Sequence, residues 1–134
     1  MFNLFGGAVC WISKRQFVVA LSTTKAEYMV ATHASKEAVW LQSLCSSMGL
    51  VQRAIKIYCD SQSAIFLAKN LAYHSKTKHI DVQYHFVRDM IEDKKVLLVK
   101  VDTLKNTIDA LKKYVSFEKF SWCRETMGIV GLDQ

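Results

Sequence analysis

A chain of 134 residues is long enough for one domain, and its 51% hydrophobic content excludes an intrinsically disordered chain. The formal net charge of +6 favours polyanionic partners such as nucleic acid. No apolar run reaches the roughly 18 residues of a transmembrane helix, so we expect no membrane partner and a nuclear or cytoplasmic location. The four cysteines form no C-x-x-C pair, which indicates free, mostly buried thiols.

The first half of the chain predicts a hairpin and one long helix. GGAVCWISKRQFVVALS is rich in β-branched and aromatic residues, which indicates two strands around a polar turn at residues 13–16. A helix of about seven turns follows, with Ser22 among its candidate N-caps and Gly49 as its end. Apolar residues at three- and four-residue steps predict its buried face: Ala26, Val30, Ala34, Ala38, Leu41, Cys45 and Met48.

The second half predicts alternating short elements. AIKIYC and KVLLVKV are typical of buried strands. Residues 61–69 are typical of a short helix. HIDVQYHFVRDMIEDKK carries a helical apolar stripe, and residues 107–113 and 117–127 indicate two more helices, the last capped by Ser116 and ended by Gly128. The order of strands and helices predicts an α/β sheet covered by helices.

Three acids stand where predicted strands end or helices begin. Asp60 follows AIKIYC, Glu27 is expected in the first turn of the long helix, and Asp109 lies early in the helix after KVLLVKV. Each can be explained singly by helix capping or by the helix dipole. Together they can form a site for a hard divalent cation, because such ions take carboxylate oxygens as ligands. The spacing leaves both readings open.

Basic and aromatic residues cluster in AKNLAYHSKTKH. Lys69, Lys76 and Lys78, with His74 and His79, can contact a nucleic-acid backbone, or they can form a solvated loop. The three tryptophans sit in apolar patterns, which predicts core packing for Trp11, Trp40 and Trp122.

Four stretches carry a resemblance to a known family. VALSTTKAEYMVAT, KEAVWLQSL, IYCDSQSAIFLAKN and YHSKTKHIDVQYHFVRDMI closely resemble the ribonuclease H domain of copia-type retrotransposon Pol polyproteins. The resemblance implies a ribonuclease H-like mixed sheet flanked by helices over residues 1–128, with residues 129–134 as a C-terminal tail. It also implies Mg²⁺ or Mn²⁺ as cofactor, hydrolysis of the RNA strand of RNA–DNA hybrids, and the reverse transcriptase domain of the same polyprotein as a partner.

The same resemblance assigns catalytic and metal-binding roles to Glu27, Asp60 and Asp109. The family's first catalytic Asp and the strand that carries it match nothing in residues 1–134, so we expect a sheet lacking its first strand and an impaired enzyme. An open sheet edge would also favour self-association. The alternatives are a nucleic-acid-binding remnant without catalysis and a fragment that does not fold stably. Lys25 and Thr107 also depart from the family's usual residues, an acid and a proline.

Overall fold

The computed structural model describes residues 1–12, 22–50, 53–70 and 86–131. The strands in these ranges are β1 (Phe2–Leu4), β2 (Gly7–Cys10), β3 (Ile55–Cys59) and β4 (Val96–Lys100). The α-helices are α1 (Thr23–Ser47), α2 (Gln62–Lys69), α3 (Phe86–Glu92), α4 (Asp109–Lys112) and α5 (Phe117–Thr126). The predicted α/β class is confirmed, and the finer prediction of a ribonuclease H-like sheet stays a prediction.

The chain divides into two compact units. One unit combines residues 1–17 with residues 102–134 and carries β1, β2, α4 and α5. The other spans residues 18–101 and carries α1, β3, α2, α3 and β4. The prediction of one domain over residues 1–128 with a short tail stays a prediction.

The core of the unit spanning residues 18–101 lies between a parallel strand pair and three helices. Strand β3 pairs with β4 in the register Ile55 to Val96 through Cys59 to Lys100, so the carboxyl ends of both strands meet at one edge. Within the described ranges, β3 pairs with no other strand. The buried core cluster consists of Tyr28, Met29, Ala31, Cys59, Ala64, Ile65, Ala68, Val87 and Leu98.

Helix α1 begins and ends as its sequence predicts, but its buried face differs. The Ser22 side chain accepts a hydrogen bond from the Lys25 amide at 3.2 Å, and Gly49 ends the helix at φ +76°. The predicted face is wrong at two of its positions, since Val30 is 50% and Met48 58% exposed. Thr32 and Ser35 are buried instead, because their hydroxyls donate to the carbonyls four residues earlier at 3.1 and 2.8 Å.

The unit formed by residues 1–17 and 102–134 contains a tight hairpin at its start. Strands β1 and β2 are antiparallel, and the turn between them places Phe5 and Gly6 at positive φ. The Ala8 amide donates to the carbonyl of Met127, just after α5, at 3.0 Å. The predicted first arm is confirmed as β2, but β2 pairs with an earlier strand that the pattern did not indicate. The predicted turn at residues 13–16 lies outside the described residues.

The prediction of core packing for the tryptophans is wrong. Trp11 is 64%, Trp40 58% and Trp122 39% exposed. Trp40 lies about 200° around α1 from the buried Ala38, because successive helical residues are about 100° apart. Apolar neighbours in the sequence are therefore not enough to predict that these side chains are buried. Of the described helices, none is both long and apolar enough to cross a membrane.

Candidate metal centre

At the joint between β3 and α2, the helix is capped by a residue other than Asp60. Strand β3 ends at Cys59, the chain bends at Asp60, and α2 begins at Gln62. The N-cap is Ser61, whose Oγ accepts a hydrogen bond from the Ala64 amide at 3.2 Å. The N-cap of α2 is therefore Ser61 and not Asp60.

Glu27 is likewise not explained by the start of its helix. The first turn of α1 contains no acidic residue, and Glu27 follows it. The helix dipole acts mainly on the terminal turn, so it offers little stabilisation to this carboxylate. Another reason is needed for an acid at this place.

Glu27, Asp60 and Cys59 converge at the carboxyl end of β3. One carboxylate oxygen from each acid and the Cys59 sulfur all lie within 4.8 Å of one another. Both carboxylates are half-buried, and Cys59 is buried. Consecutive strand residues normally point to opposite faces, so the bend at Asp60 is what brings both side chains toward Glu27. Two carboxylates from different elements in this arrangement offer oxygen ligands to a divalent cation.

Lys100 holds the backbone beneath this cluster. Its ammonium donates hydrogen bonds to the Asp60 carbonyl at 2.5 Å and to the Val101 carbonyl at 3.1 Å. The Val101 amide also donates to the Cys59 carbonyl at 3.0 Å. These bonds join the carboxyl ends of β3 and β4, so the peptide that carries Asp60 is fixed to the neighbouring strand.

The thiol of Cys59 is kept in its neutral form. Burial raises the pKa of Cys59 above its ordinary value, and the negative charges of Glu27 and Asp60 act in the same direction. The thiol also donates a weak hydrogen bond to the Ser61 carbonyl at 3.7 Å. The sequence pattern indicated only a buried thiol here and missed its place beside two acids; the adjacency of Cys59 and Asp60 was the available signal.

Asp109 lies in the unit formed by residues 1–17 and 102–134. It is buried at the first position of α4, and its carboxylate lies 3.1 Å from the Lys113 ammonium, one turn along the chain. The helix-terminus explanation is sufficient for this acid, because it sits in the first turn and pairs with a following lysine. Its role as a metal ligand stays a prediction.

A hollow of about 380 Å³ is lined by residues of α1, which carries Glu27, and of α2, which begins two residues after Asp60. Its lining includes Thr24, one turn before Glu27 on α1, together with Gln62 and Ser63, which follow Asp60. Phe66 and Leu67 complete it, and Phe66 is 51% exposed. The hollow therefore combines hydroxyl and amide groups with an accessible aromatic ring.

Of the predicted nucleic-acid contacts, one lies within the described ranges. Lys69 is exposed in the last turn of α2. His74, Lys76, Lys78 and His79 lie outside the described residues. The contact of all five with nucleic acid stays a prediction.

Comparison with known proteins shows that the chain is similar to one region of retrovirus-related Pol polyproteins of plant transposons. It is 48% identical over 129 residues to the Pol polyprotein from transposon TNT 1-94 of Nicotiana tabacum, covering 96% of this chain and 10% of that protein. The Pol polyproteins from transposons RE1 and RE2 of Arabidopsis thaliana are 34% and 36% identical, covering 90% and 84% of this chain and 8% of each relative. The chain is thus homologous to a retrotransposon Pol polyprotein region and spans about a tenth of these relatives. No protein-family model and no solved structure matches it.

Proposed function

We propose that this chain is a ribonuclease H-type domain whose ancestral reaction is hydrolysis of the RNA strand of RNA–DNA hybrids with a divalent cation, and that the chain alone is an impaired enzyme. The observation that carries the proposal is the convergence of Glu27 and Asp60 within 4.8 Å at the carboxyl end of β3. In α/β sheets, sites form where strands end and helices begin. Homology to Pol polyproteins supports the proposal, because almost the whole chain takes part in the match.

The donor set of this cluster fits Mg²⁺ or Mn²⁺. Both ions accept carboxylate oxygens, and Mg²⁺ usually takes only one or two protein carboxylates beside waters and phosphate oxygens. Glu27 and Asp60 would hold the cation, with Asp109 as the third acid that the resemblance assigns. A cation bound there would activate a water molecule and stabilise the leaving oxygen of the phosphodiester. Lys100 keeps the Asp60 peptide in place through its bond to the carbonyl.

The substrate would lie across the adjacent hollow and the basic end of α2. Thr24, Gln62 and Ser63 offer hydrogen-bonding groups to sugar and base edges, and Phe66 offers a ring for stacking. Lys69 adds positive charge for the phosphates, and the net charge of +6 acts in the same direction. The remainder of such a polyprotein, including a reverse transcriptase domain, is the partner we expect.

The test is a cleavage assay on a labelled RNA–DNA hybrid with Mg²⁺ or Mn²⁺. Residues 1–134 are assayed alone and fused behind the preceding segment of the tobacco relative, which supplies the strand and acid that the resemblance implies. We expect weak or no cleavage alone and clear cleavage by the fusion. Glu27→Gln should lower that cleavage by about a hundredfold or more, since charge placed at the reacting phosphate is a large catalytic term. Glu37→Gln, on the same helix, is the matched control and should cleave normally. A folded fusion that binds the hybrid but does not cut it would overturn the proposal.

A second function is favoured by the state of Asp109. Its carboxylate is already paired with the Lys113 ammonium at 3.1 Å, so that lysine would compete with a cation for Asp109. The chain would then bind nucleic acid without hydrolysing it. Binding that weakens steeply with salt, without cleavage by either protein, supports this alternative.

A further inference from the structure

We propose that Cys59 turns the Glu27–Asp60 pair into a mixed oxygen–sulfur site that binds a thiophilic divalent cation, Cd²⁺ or Zn²⁺, in preference to Mg²⁺. The inference rests on the proposed cation site. It adds which metal ion the site prefers and how the proposed hydrolysis would be inhibited. Such an ion would occupy the carboxylates and stop the proposed hydrolysis.

The geometry places sulfur among the oxygen donors. The Cys59 Sγ atom lies within 4.8 Å of a carboxylate oxygen of both Glu27 and Asp60. Donor atoms bound to one zinc ion lie about 3.5 Å apart, given bond lengths near 2.0–2.3 Å and tetrahedral geometry. The three side chains therefore need to close by only about 1 Å to share an ion. Within the described ranges, Cys59 is the one cysteine grouped with two carboxylates.

The chemistry of the donors sets the preference. Mg²⁺ prefers oxygen ligands and is bound poorly by sulfur, whereas Zn²⁺ takes thiolate, carboxylate and water together. On coordination the Cys59 thiol would release its proton to solvent, and the metal–sulfur bond would replace the weak 3.7 Å hydrogen bond to the Ser61 carbonyl. Little protein structure opposes this exchange, because Ser61 keeps its separate role as the cap of α2.

The experiment is a Cd²⁺ titration of the full chain, followed by the thiolate-to-cadmium charge-transfer absorption. We expect the band to saturate with one Cd²⁺ per chain and to persist in a large excess of Mg²⁺. Cys59→Ser should abolish the band, while Cys45→Ser, a buried cysteine on α1, should leave it unchanged. Glu27→Gln should keep the band but weaken Cd²⁺ affinity about tenfold or more.

Two results would overturn the inference: a band that survives in Cys59→Ser, or a wild-type band that excess Mg²⁺ removes. If Cys59→Ser fails to fold by circular dichroism, the cadmium NMR shift of the wild type decides whether sulfur is bound. Mn²⁺ binding, measured by water proton relaxation, separates this inference from the proposed function. If the chain does not bind Mn²⁺ but shows the Cys59-dependent cadmium band, only the proposed function is overturned. If it binds Mn²⁺ but shows no Cys59-dependent band, only the inference is overturned.

Discussion

Glu27→Gln should make the protein more stable when no divalent cation is present. The carboxylates of Glu27 and Asp60 lie within 4.8 Å, where two unit charges repel by about 0.9 kcal/mol at the dielectric constant of water. Screening at physiological salt reduces this to about 0.5 kcal/mol, since the Debye length is about 8 Å. Removing one charge should raise the free energy of unfolding by about 0.5–1 kcal/mol. Most substitutions destabilise a protein, so the sign of this change is informative.

The same substitution should remove the response to Mn²⁺. A ligand that binds only the folded state stabilises it by about 1.4 kcal/mol at a free concentration ten times its dissociation constant. We therefore expect urea denaturation curves in which the wild type is the less stable protein without Mn²⁺ and the more stable one with it. Glu37→Gln controls for loss of an acid from α1 and should keep the wild-type response to Mn²⁺. A Glu27→Gln variant that is destabilised without Mn²⁺ and still responds to Mn²⁺ would refute a cation site at this place.

Four further predictions concern single residues. Ser61→Ala should lower the free energy of unfolding by about 1 kcal/mol in urea denaturation, because α2 loses its N-cap. Gly128→Ala should lower the melting temperature, because Gly128 has φ +71° and an added Cβ would collide with the Gly6 carbonyl. Burial raises the pKa of Tyr28 in the folded protein. The stability that this shift contributes is therefore complete below the ordinary pKa of 10.0 and is lost as pH rises through the raised folded pKa. Tyr28→Phe should reduce this alkaline loss of stability, measured by denaturation curves at several pH values. Lys69→Gln should weaken hybrid binding and reduce the salt slope by about one, measured by fluorescence anisotropy at several salt concentrations.

Local signals in the sequence predicted the helix ends well. Ser22 and Gly49 mark the ends of α1 because a capping hydroxyl and a left-handed glycine act within one turn of the chain. Ser116 caps α5 for the same reason, with its hydroxyl accepting from the Lys119 amide at 3.2 Å. These features depend on neighbours in sequence, so the sequence alone is enough to place them.

Features that depend on distant partners were not predictable in the same way. Thr32 and Ser35 look polar in the sequence, yet both are buried, because α2, α3 and β3 pack against α1 and the two hydroxyls are satisfied within the helix. No periodic pattern in the sequence predicts that β2 pairs with β1. The same is true of the hydrogen bond from the Ala8 amide to the Met127 carbonyl, near the other end of the chain. The mutual approach of Glu27 and Asp60 is of this second kind: their positions at predicted element ends left it open, and the family resemblance assigned both to one site.

Asp60, the acid at the β3–α2 joint, is neither the cap of α2 nor the side chain that ties β3 to β4. Ser61 already caps α2, Lys100 already ties the Asp60 carbonyl to β4, and neither bond uses the Asp60 carboxylate. That carboxylate lies within 4.8 Å of the Glu27 carboxylate, and two such charges repel by about 0.5–1 kcal/mol. A neutral asparagine would keep the bend and the cap without this repulsion. A carboxylate within 4.8 Å of a second carboxylate is typical of a ligand site, since a bound cation converts the repulsion between them into attraction.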